Sequence, residues 1–386
     1  MSIFAFNTVS RIVHGWGSLG SLPDEIGRLG KNVKKVLIVS DPGIKAVGIL
    51  DKAAAVLSGA GLQSKAFAEV QSDPAFDSAE ASIACGKEFG PDLVIGIGGG
   101  SSLDIAKLTA AMMVNAGPFE RYVGMELIEK PGIPHILIPT TAGTGSEMTS
   151  ICVLSDTKNQ VKKGIVSQYL YARSVLLDPE LTTGLPPHVT AMTGMDALVH
   201  AIESYVGIRA TQFTDALNID AIRLIGANLR TAYNNGKDQT ARTNMLCASC
   251  IAGMAFSNTQ NGLDHAMALA IGGRFHLPHG LLTAFLLPMV MGFNMVGNPA
   301  KFANIARAMG ADTTGMSVED AAKESVKIVQ SLLDDLKIST KLSSYNVPRD
   351  IFPALATATV GAARLISNNP RPVTEKDVIT LLEENY

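Results

Sequence analysis

The first half of the chain alternates short β-rich apolar runs with longer stretches of helical periodicity, the pattern that a parallel α/β sheet requires. Residues 36–40 (Val-Leu-Ile-Val-Ser) read as a strand closed by Asp41-Pro-Gly43. Residues 93–97 read as a second strand running into Gly98-Gly-Gly-Ser101, and residues 135–138 as a third running into Pro139-Thr-Thr-Ala-Gly-Thr-Gly-Ser146. Each ends in Gly, Thr, Ser or Asp, and ligands of doubly wound folds sit beyond the carboxyl ends of the strands. From about Leu185 the pattern changes to long Ala-, Leu- and Met-rich segments, such as 190–206, 211–233 and 240–257, with few β-branched alternations. The expected organisation is an α/β dinucleotide-binding domain over residues 1–184 and an all-α domain over residues 185–386, divided at Gly184-Leu-Pro-Pro187.

Composition narrows the function. A chain of 386 residues with 47% hydrophobic and 17% charged residues has ample core for two domains. The formal net charge of -3, with no run of Lys and Arg, offers nothing to nucleic acid and favours a small-molecule partner. The N-terminus lacks the basic start and apolar stretch of a signal peptide, and no uninterrupted apolar run approaches a membrane span, so a cytoplasmic protein is expected. Four cysteines are too few and too irregular for a disulfide framework. Cys247-Ala-Ser-Cys250 has redox spacing, but lies in a small, apolar helical run where two core residues are the simpler reading.

Two groups of residues carry candidate chemistry. Gly96-Ile-Gly-Gly-Gly-Ser-Ser-Leu-Asp104 sits between a strand and a helix, where glycine lets backbone approach a pyrophosphate and the helix supplies free amides. The spacing is not Gly-x-Gly-x-x-Gly, and a tight turn alone explains it equally well. Asp41 is placed to accept hydrogen bonds from a ribose 2′-hydroxyl and to repel NADP, although a turn or cap role also fits. Thr140, Thr141, Thr144 and Ser146 form a hydroxyl-rich loop suited to a nicotinamide or ribose, or to loop structure. Together these features point to NAD.

The second group is metal-like. Asp196 and His200 are four residues apart, hence on one helix face. His265 and His279 add two imidazoles, the latter between Pro278 and Gly280 where regular structure breaks. Three nitrogens and one oxygen suit Fe²⁺, Zn²⁺ or Co²⁺ and suit Mg²⁺ or Ca²⁺ poorly. Taken singly, each histidine also reads as a satisfied core or loop residue, and spacing does not establish that the four converge.

At this point the chain resembles the iron-containing, or group III, alcohol dehydrogenase family. The motifs are Gly98-Gly-Gly-Ser-Ser-Leu-Asp-Ile-Ala-Lys107, Pro139-Thr-Thr-Ala-Gly-Thr-Gly-Ser-Glu147, Thr193-Gly-Met-Asp-Ala-Leu-Val-His-Ala-Ile-Glu203, His265-Ala-Met-Ala268 with Pro278-His-Gly280, and Asn369-Pro-Arg-Pro372. They run in order along nearly the whole chain. The resemblance implies a dehydroquinate-synthase-like architecture, a homodimer or higher homo-oligomer, and an NAD-dependent alcohol dehydrogenase acting on a small primary alcohol or diol and its aldehyde. It implies metal-ligand roles, catalytic through Fe²⁺ (or Zn²⁺), for Asp196, His200, His265 and His279. It implies cofactor roles for Asp41, Gly98, Gly99, Gly100, Ser101, Thr140, Thr141 and Thr144, and for Lys162, whose neighbour Lys163 leaves the register open.

The departures are specific. Many family members carry a second histidine four residues after the third ligand, where this chain has Leu269; His276, eleven residues beyond His265 in a loop, is not taken as its substitute. Asp73, Asp264 and Arg274 are also unusual for the family, and polar residues at an otherwise apolar mouth would suit a substrate with an anionic tail, with Arg274 as its partner or as a plain surface arginine. Alternative readings are a polyol or glycerol dehydrogenase with Zn²⁺, a dehydroquinate-synthase-like lyase, and a non-catalytic nucleotide-binding regulator. The lyase requires several basic residues near the metal motifs, where the sequence displays only Arg274.

Overall fold

The computed structural model describes residues 3–30, 32–157, 161–275 and 277–386. The chain divides into a sheet unit, Asn7–Thr141 with Gly145–Gly184, and a helical unit, Leu185–Tyr386 with Met1–Phe6 and Ala142–Thr144. The α/β and then all-α character expected from sequence is present.

In the sheet unit, strands β1 (Ile12–His14), β2 (Lys35–Val39), β3 (Gln63–Phe67), β4 (Leu93–Gly98), β5 (Gly124–Met125), β6 (His135–Pro139), β7 (Ile151–Asp156), β8 (Val161–Val166) and β9 (Ser174–Leu177) form two sheets. Six of them pair in the order β1-β9-β6-β4-β2-β3, every pair parallel. Helices α1 (Leu22–Arg28), α2 (Pro42–Ala46), α3 (Ile49–Gly59), α4 (Phe76–Phe89) and α5 (Gly100–Met112) connect strands. Alternation along the strands sets the packing. Val36, Ile38, Ile95, Ile97, Ile136 and Ile138 turn to one core with Leu19, Leu22 and Leu57. Gly96 turns the other way, and a Cβ there would lie 2.7 Å from that of Ala106, so glycine lets α5 lie close on β4. The small sheet, order β5-β8-β7, has an antiparallel β7–β8 pair that the α/β pattern did not announce.

The helical unit contains α6 (Pro187–Val206), α7 (Gln212–Asn234), α8 (Gln239–Thr259), α9 (Leu263–Phe275), α10 (His279–Asn294), α11 (Pro299–Ala308), α12 (Val318–Asp335), α13 (Phe352–Gly361), α14 (Ala363–Ile366) and α15 (Glu375–Glu384). Local signals start them: Pro187 opens α6, and Thr211 caps α7 in a reciprocal pair with Thr214. Cys247 and Cys250 both lie on α8. The segment His279–Gly297 is, contrary to the sequence reading, apolar and long enough to cross a membrane, yet 67% of it is buried inside the protein, as befits a core helix.

Candidate active site

Helix α6 carries Asp196 and His200 one turn apart on its buried side, α9 carries His265 in its first turn, and His279 opens α10. Gly280 explains how the last arrives: a Cβ there would stand 2.5 Å from the Met192 carbonyl oxygen, so only glycine lets α10 touch α6 at this point. Asp196, His265 and His279 each offer one donor atom within 4.8 Å of the other two. Asp196 Oδ1 lies 3.7 Å from His279 Nε2, and His200 joins the group with its Nε2 3.0 Å from that of His265. His200 also stacks on Phe256, ring centroids 4.3 Å apart.

The donor set fits a divalent ion. Ligands held tetrahedrally at about 2.1 Å stand about 3.4 Å from one another, a value that the Asp196–His279 and His200–His265 separations of 3.7 and 3.0 Å bracket. Protonation agrees. Burial, reinforced by His265 and His279 against the pull of Asp196, lowers the His200 pKa to about 3, so its imidazole is neutral. Burial pushes Asp196 up, but the three imidazoles and Thr283 outweigh it and hold the carboxylate below its ordinary value.

An outer ring aims these groups. Glu203 Oε2 lies 2.7 Å from His265 Nδ1, and its other oxygen accepts the Asp264 backbone N–H at 2.6 Å. With Nδ1–H donated to Glu203, the lone pair of His265 is left on Nε2. Thr283 donates to Asp196 Oδ1 at 3.0 Å. In the sequence Glu203 stands out only as the end of a motif, although its position seven residues after Asp196 puts it on the same helix face.

One expectation about the surroundings is corrected. Asp264 is fully buried rather than at a polar mouth, and among the described residues neither carboxylate oxygen has a hydrogen-bond partner. Burial, with Glu203 and Asp196 adding, raises its pKa well above the ordinary value, so it is not a charged group for a substrate. Arg274 is exposed in the last turn of α9, nine residues and about 13 Å of helix from His265. Leu269 is half-buried on α9, and His276 lies outside the described residues.

The candidate cofactor residues of the sheet unit form their own cluster. Gly98 ends β4 at φ 150°, where a Cβ would meet the Ser102 side chain at 2.7 Å and Asp41 Oδ2 at 2.9 Å. Gly99 and Gly100 lead into α5 beside Thr141, which a Cβ on Gly99 would approach to 3.6 Å, and Ser101 lies in the first turn. This bare backbone at a helix N-terminus fits a pyrophosphate. Asp41 is a helix cap after all, accepting from Ile44 N at 3.0 Å through Oδ1, while Oδ2 accepts from Ser102 at 3.1 Å. Thr140 is buried in this unit with its hydroxyl unpartnered among the described residues, whereas Thr144 belongs to the helical unit. Lys162 on β8 pairs with Asp73 at 2.6 Å, and Asp73 sits at φ 52°. Buried Lys107, likewise only a motif residue in the sequence, bonds Asp104, the Ser146 carbonyl and hydroxyl, and the Thr149 hydroxyl, tying α5 to the loop after β6.

A parallel nucleotide-type sheet, a helical unit and a buried Asp-His cluster are together compatible with a metal-dependent dehydrogenase. Residues 9–179 match the family model for iron-containing alcohol dehydrogenases, and residues 190–386 match that of the family's C-terminal region. The chain belongs to the iron-containing alcohol dehydrogenase family. It is 48% identical to the sulfoacetaldehyde reductase of Bilophila wadsworthia over 99% of both chains, and 38% identical to the 1,3-propanediol dehydrogenase of Klebsiella pneumoniae over 92% of both. A crystal structure of a 1,3-propanediol oxidoreductase superposes with a TM-score of 0.97 at 35% identity, covering 100% of each chain. The sulfoacetaldehyde reductase of Bifidobacterium kashiwanohense, solved with NAD⁺, superposes at 0.90 with 25% identity over 100% of this chain and 99% of that one. The chain is therefore an oxidoreductase, a metal-dependent NAD(H) alcohol dehydrogenase interconverting a small alcohol and its aldehyde.

Proposed function

We propose that the chain works as an NADH-dependent reductase of a short aldehyde bearing an anionic tail, a sulfonate being the nearest case. The observation that carries this reading is the 48% identity to a sulfoacetaldehyde reductase along the full length of both chains, against 38% for the diol enzyme. We assign Asp196, His200, His265 and His279 as ligands of Fe²⁺, and Asp41, Gly98, Gly99, Gly100, Ser101, Thr140, Thr141, Thr144 and Lys162 as contacts of NAD. A homodimeric, cytoplasmic enzyme with domains over residues 1–184 and 185–386 completes the proposal.

The ion, when bound, supplies Lewis acidity that polarises the aldehyde carbonyl while NADH gives up hydride. The residues keep that centre in order. Asp196 offsets part of the positive charge, Thr283 fixes the carboxylate through Oδ1, and Glu203 holds the proton of His265 on Nδ1. Leu269 cannot carry a proton, so the position that many family members fill with a second histidine has no proton-transfer role in this chain.

The test is anaerobic NADH oxidation with sulfoacetaldehyde, propionaldehyde and 3-hydroxypropionaldehyde, using metal-free, Fe²⁺-loaded and Zn²⁺-loaded protein. The highest kcat/KM is expected with sulfoacetaldehyde and a loaded ion. Equal or better turnover of the uncharged aldehydes would overturn the anionic-substrate reading.

A further inference from the structure

Asn369-Pro-Arg-Pro372 is a motif that neither the metal cluster nor the cofactor cradle uses, and its first residue meets the start of α9. Helix α9 opens at Leu263 after Gly262, a residue with no side chain to cap it, so the first N–H groups of the helix need acceptors from elsewhere. Two come from distant segments. Asn369 Oδ1 accepts from Leu263 N at 3.3 Å, and Glu203 Oε1 accepts from Asp264 N at 2.6 Å. The two oxygens close on the backbone between them: a Cβ on Gly262 would lie 3.1 Å from Glu203 Oε1 and 3.2 Å from Asn369 Oδ1. His265 follows at once, with its Nδ1 2.7 Å from the other oxygen of Glu203.

The Asn369 side chain is fully engaged, and this fixes its orientation. Nδ2 donates to Asn294 Oδ1 and to the Arg371 carbonyl oxygen, each at 2.7 Å. Oδ1 accepts from Asn294 Nδ2 at 2.9 Å besides Leu263 N. Both donors and both acceptor positions of the amide are thus used, and a flipped amide would turn a donor toward the Leu263 N–H. The segment is anchored in turn. Arg371 donates to the Phe293 carbonyl oxygen at 3.0 Å with its guanidinium carbon 3.9 Å from the centroid of that ring, and a Cβ on Gly297 would lie 3.0 Å from the Pro370 carbonyl oxygen. Leu263, Asp264, Asn294 and Asn369 are all buried, where an N–H without an acceptor is costly. The start of α9 is therefore held where Asn369 and Glu203 put it.

We propose that Asn369 is a positioning residue of the candidate metal centre: by capping α9 from 106 positions away it sets, together with Glu203, the place from which His265 offers Nε2. The inference rests on the reading of His265 as a metal ligand. Asn369 touches no reacting atom and acts through the backbone of α9. Ligand distances in metal sites hold to within about 0.2 Å, so a small displacement of the helix start is enough to weaken the bond.

The experiment titrates metal-free protein with Zn²⁺ and Co²⁺ in the parent chain and in Asn369→Ala, Asn369→Asp, Asn294→Ala, His265→Ala and Thr374→Ala variants, and records the melting of each. Thr374→Ala removes the cap of α15 in the same C-terminal region and controls for loss of stability alone. Asn369→Ala is expected to weaken binding of both ions about tenfold. It also changes the visible absorption of bound Co²⁺, which reports the arrangement of the ligands, whereas Thr374→Ala lowers the melting temperature without either change. Asn369→Asp, which keeps an oxygen toward Leu263 N, recovers part of the affinity. Asn294→Ala, which only frees the Asn369 amide, shows a smaller loss with the same spectral change and decides the matter if Asn369→Ala does not fold. Parent-like metal binding in His265→Ala would overturn the ligand reading and this inference with it. Loss of binding in His265→Ala beside an unchanged dissociation constant and Co²⁺ spectrum in the Asn369 and Asn294 alanine variants, or an equal loss in Thr374→Ala, would overturn the positioning role alone.

Discussion

Glu203 and His265 are joined through a carboxylate oxygen and an imidazole Nδ1 at 2.7 Å, both residues buried, so the tautomer of the imidazole is decided by a neighbour that does not face the ion. Asp196 stands in a similar relation to Thr283. The candidate metal cluster is therefore aimed by an outer ring on α6 and α10, and that ring is open to test.

Replacing Glu203 by glutamine keeps the shape and removes the charged acceptor. Affinity for the divalent ion is expected to fall roughly tenfold to a hundredfold, with activity partly restored in excess metal. Titration of the metal-free protein with Fe²⁺ or Zn²⁺ measures this directly; an unchanged dissociation constant would mean that Glu203 does not tune the metal centre.

Asp41 has a structural duty as a cap and a proposed duty toward the ribose, and Asp41→Ser separates them because serine also caps a helix. Removing the charge is expected to raise the NADPH-to-NADH ratio of kcat/KM by at least about tenfold, equivalent to about 1.4 kcal/mol. Melting temperature should change little. A ratio that stays the same would leave Asp41 as a cap only.

His135 gives a pH dependence of known sign. It is buried in β6 with Nε2 3.1 Å from the Leu170 carbonyl oxygen, and burial lowers its pKa from 6.5 to about 4. Above pH 6.5 both the folded and the unfolded chain hold it neutral. As pH falls from 6.5 towards 4, the unfolded chain binds a proton that the folded one refuses, and stability falls by about 3 kcal/mol from this residue. Denaturant unfolding at pH 7, 5.5 and 4.5 should show a shallower loss in His135→Asn than in the parent chain. Identical slopes would contradict the assignment.

Legibility followed the range of the interactions. The strands at Val36, Leu93 and His135, the glycines that follow β4 and the change to helix after Leu185 are local patterns of side-chain alternation and backbone freedom, and each is readable along the chain. The antiparallel β7–β8 pair is not, because its partners carry no turn signal of the usual kind and its pairing is decided across the strands. Asp264 escapes the sequence because its position on α9 says nothing of what packs over that turn: it is buried beside an acidic neighbour.

The sequence by itself determined the kinds of unit, the family and the identity of the residues able to hold an ion, since these depend on periodicity and on short spacings within a helix or turn. Only the tertiary structure decided that Asp196, His265 and His279 meet, that His200 joins them through His265, and that Glu203 and Thr283 aim them. Those relations join helices separated by tens of residues. They depend on the close approach at Gly280, where a single methyl group would hold α10 off α6.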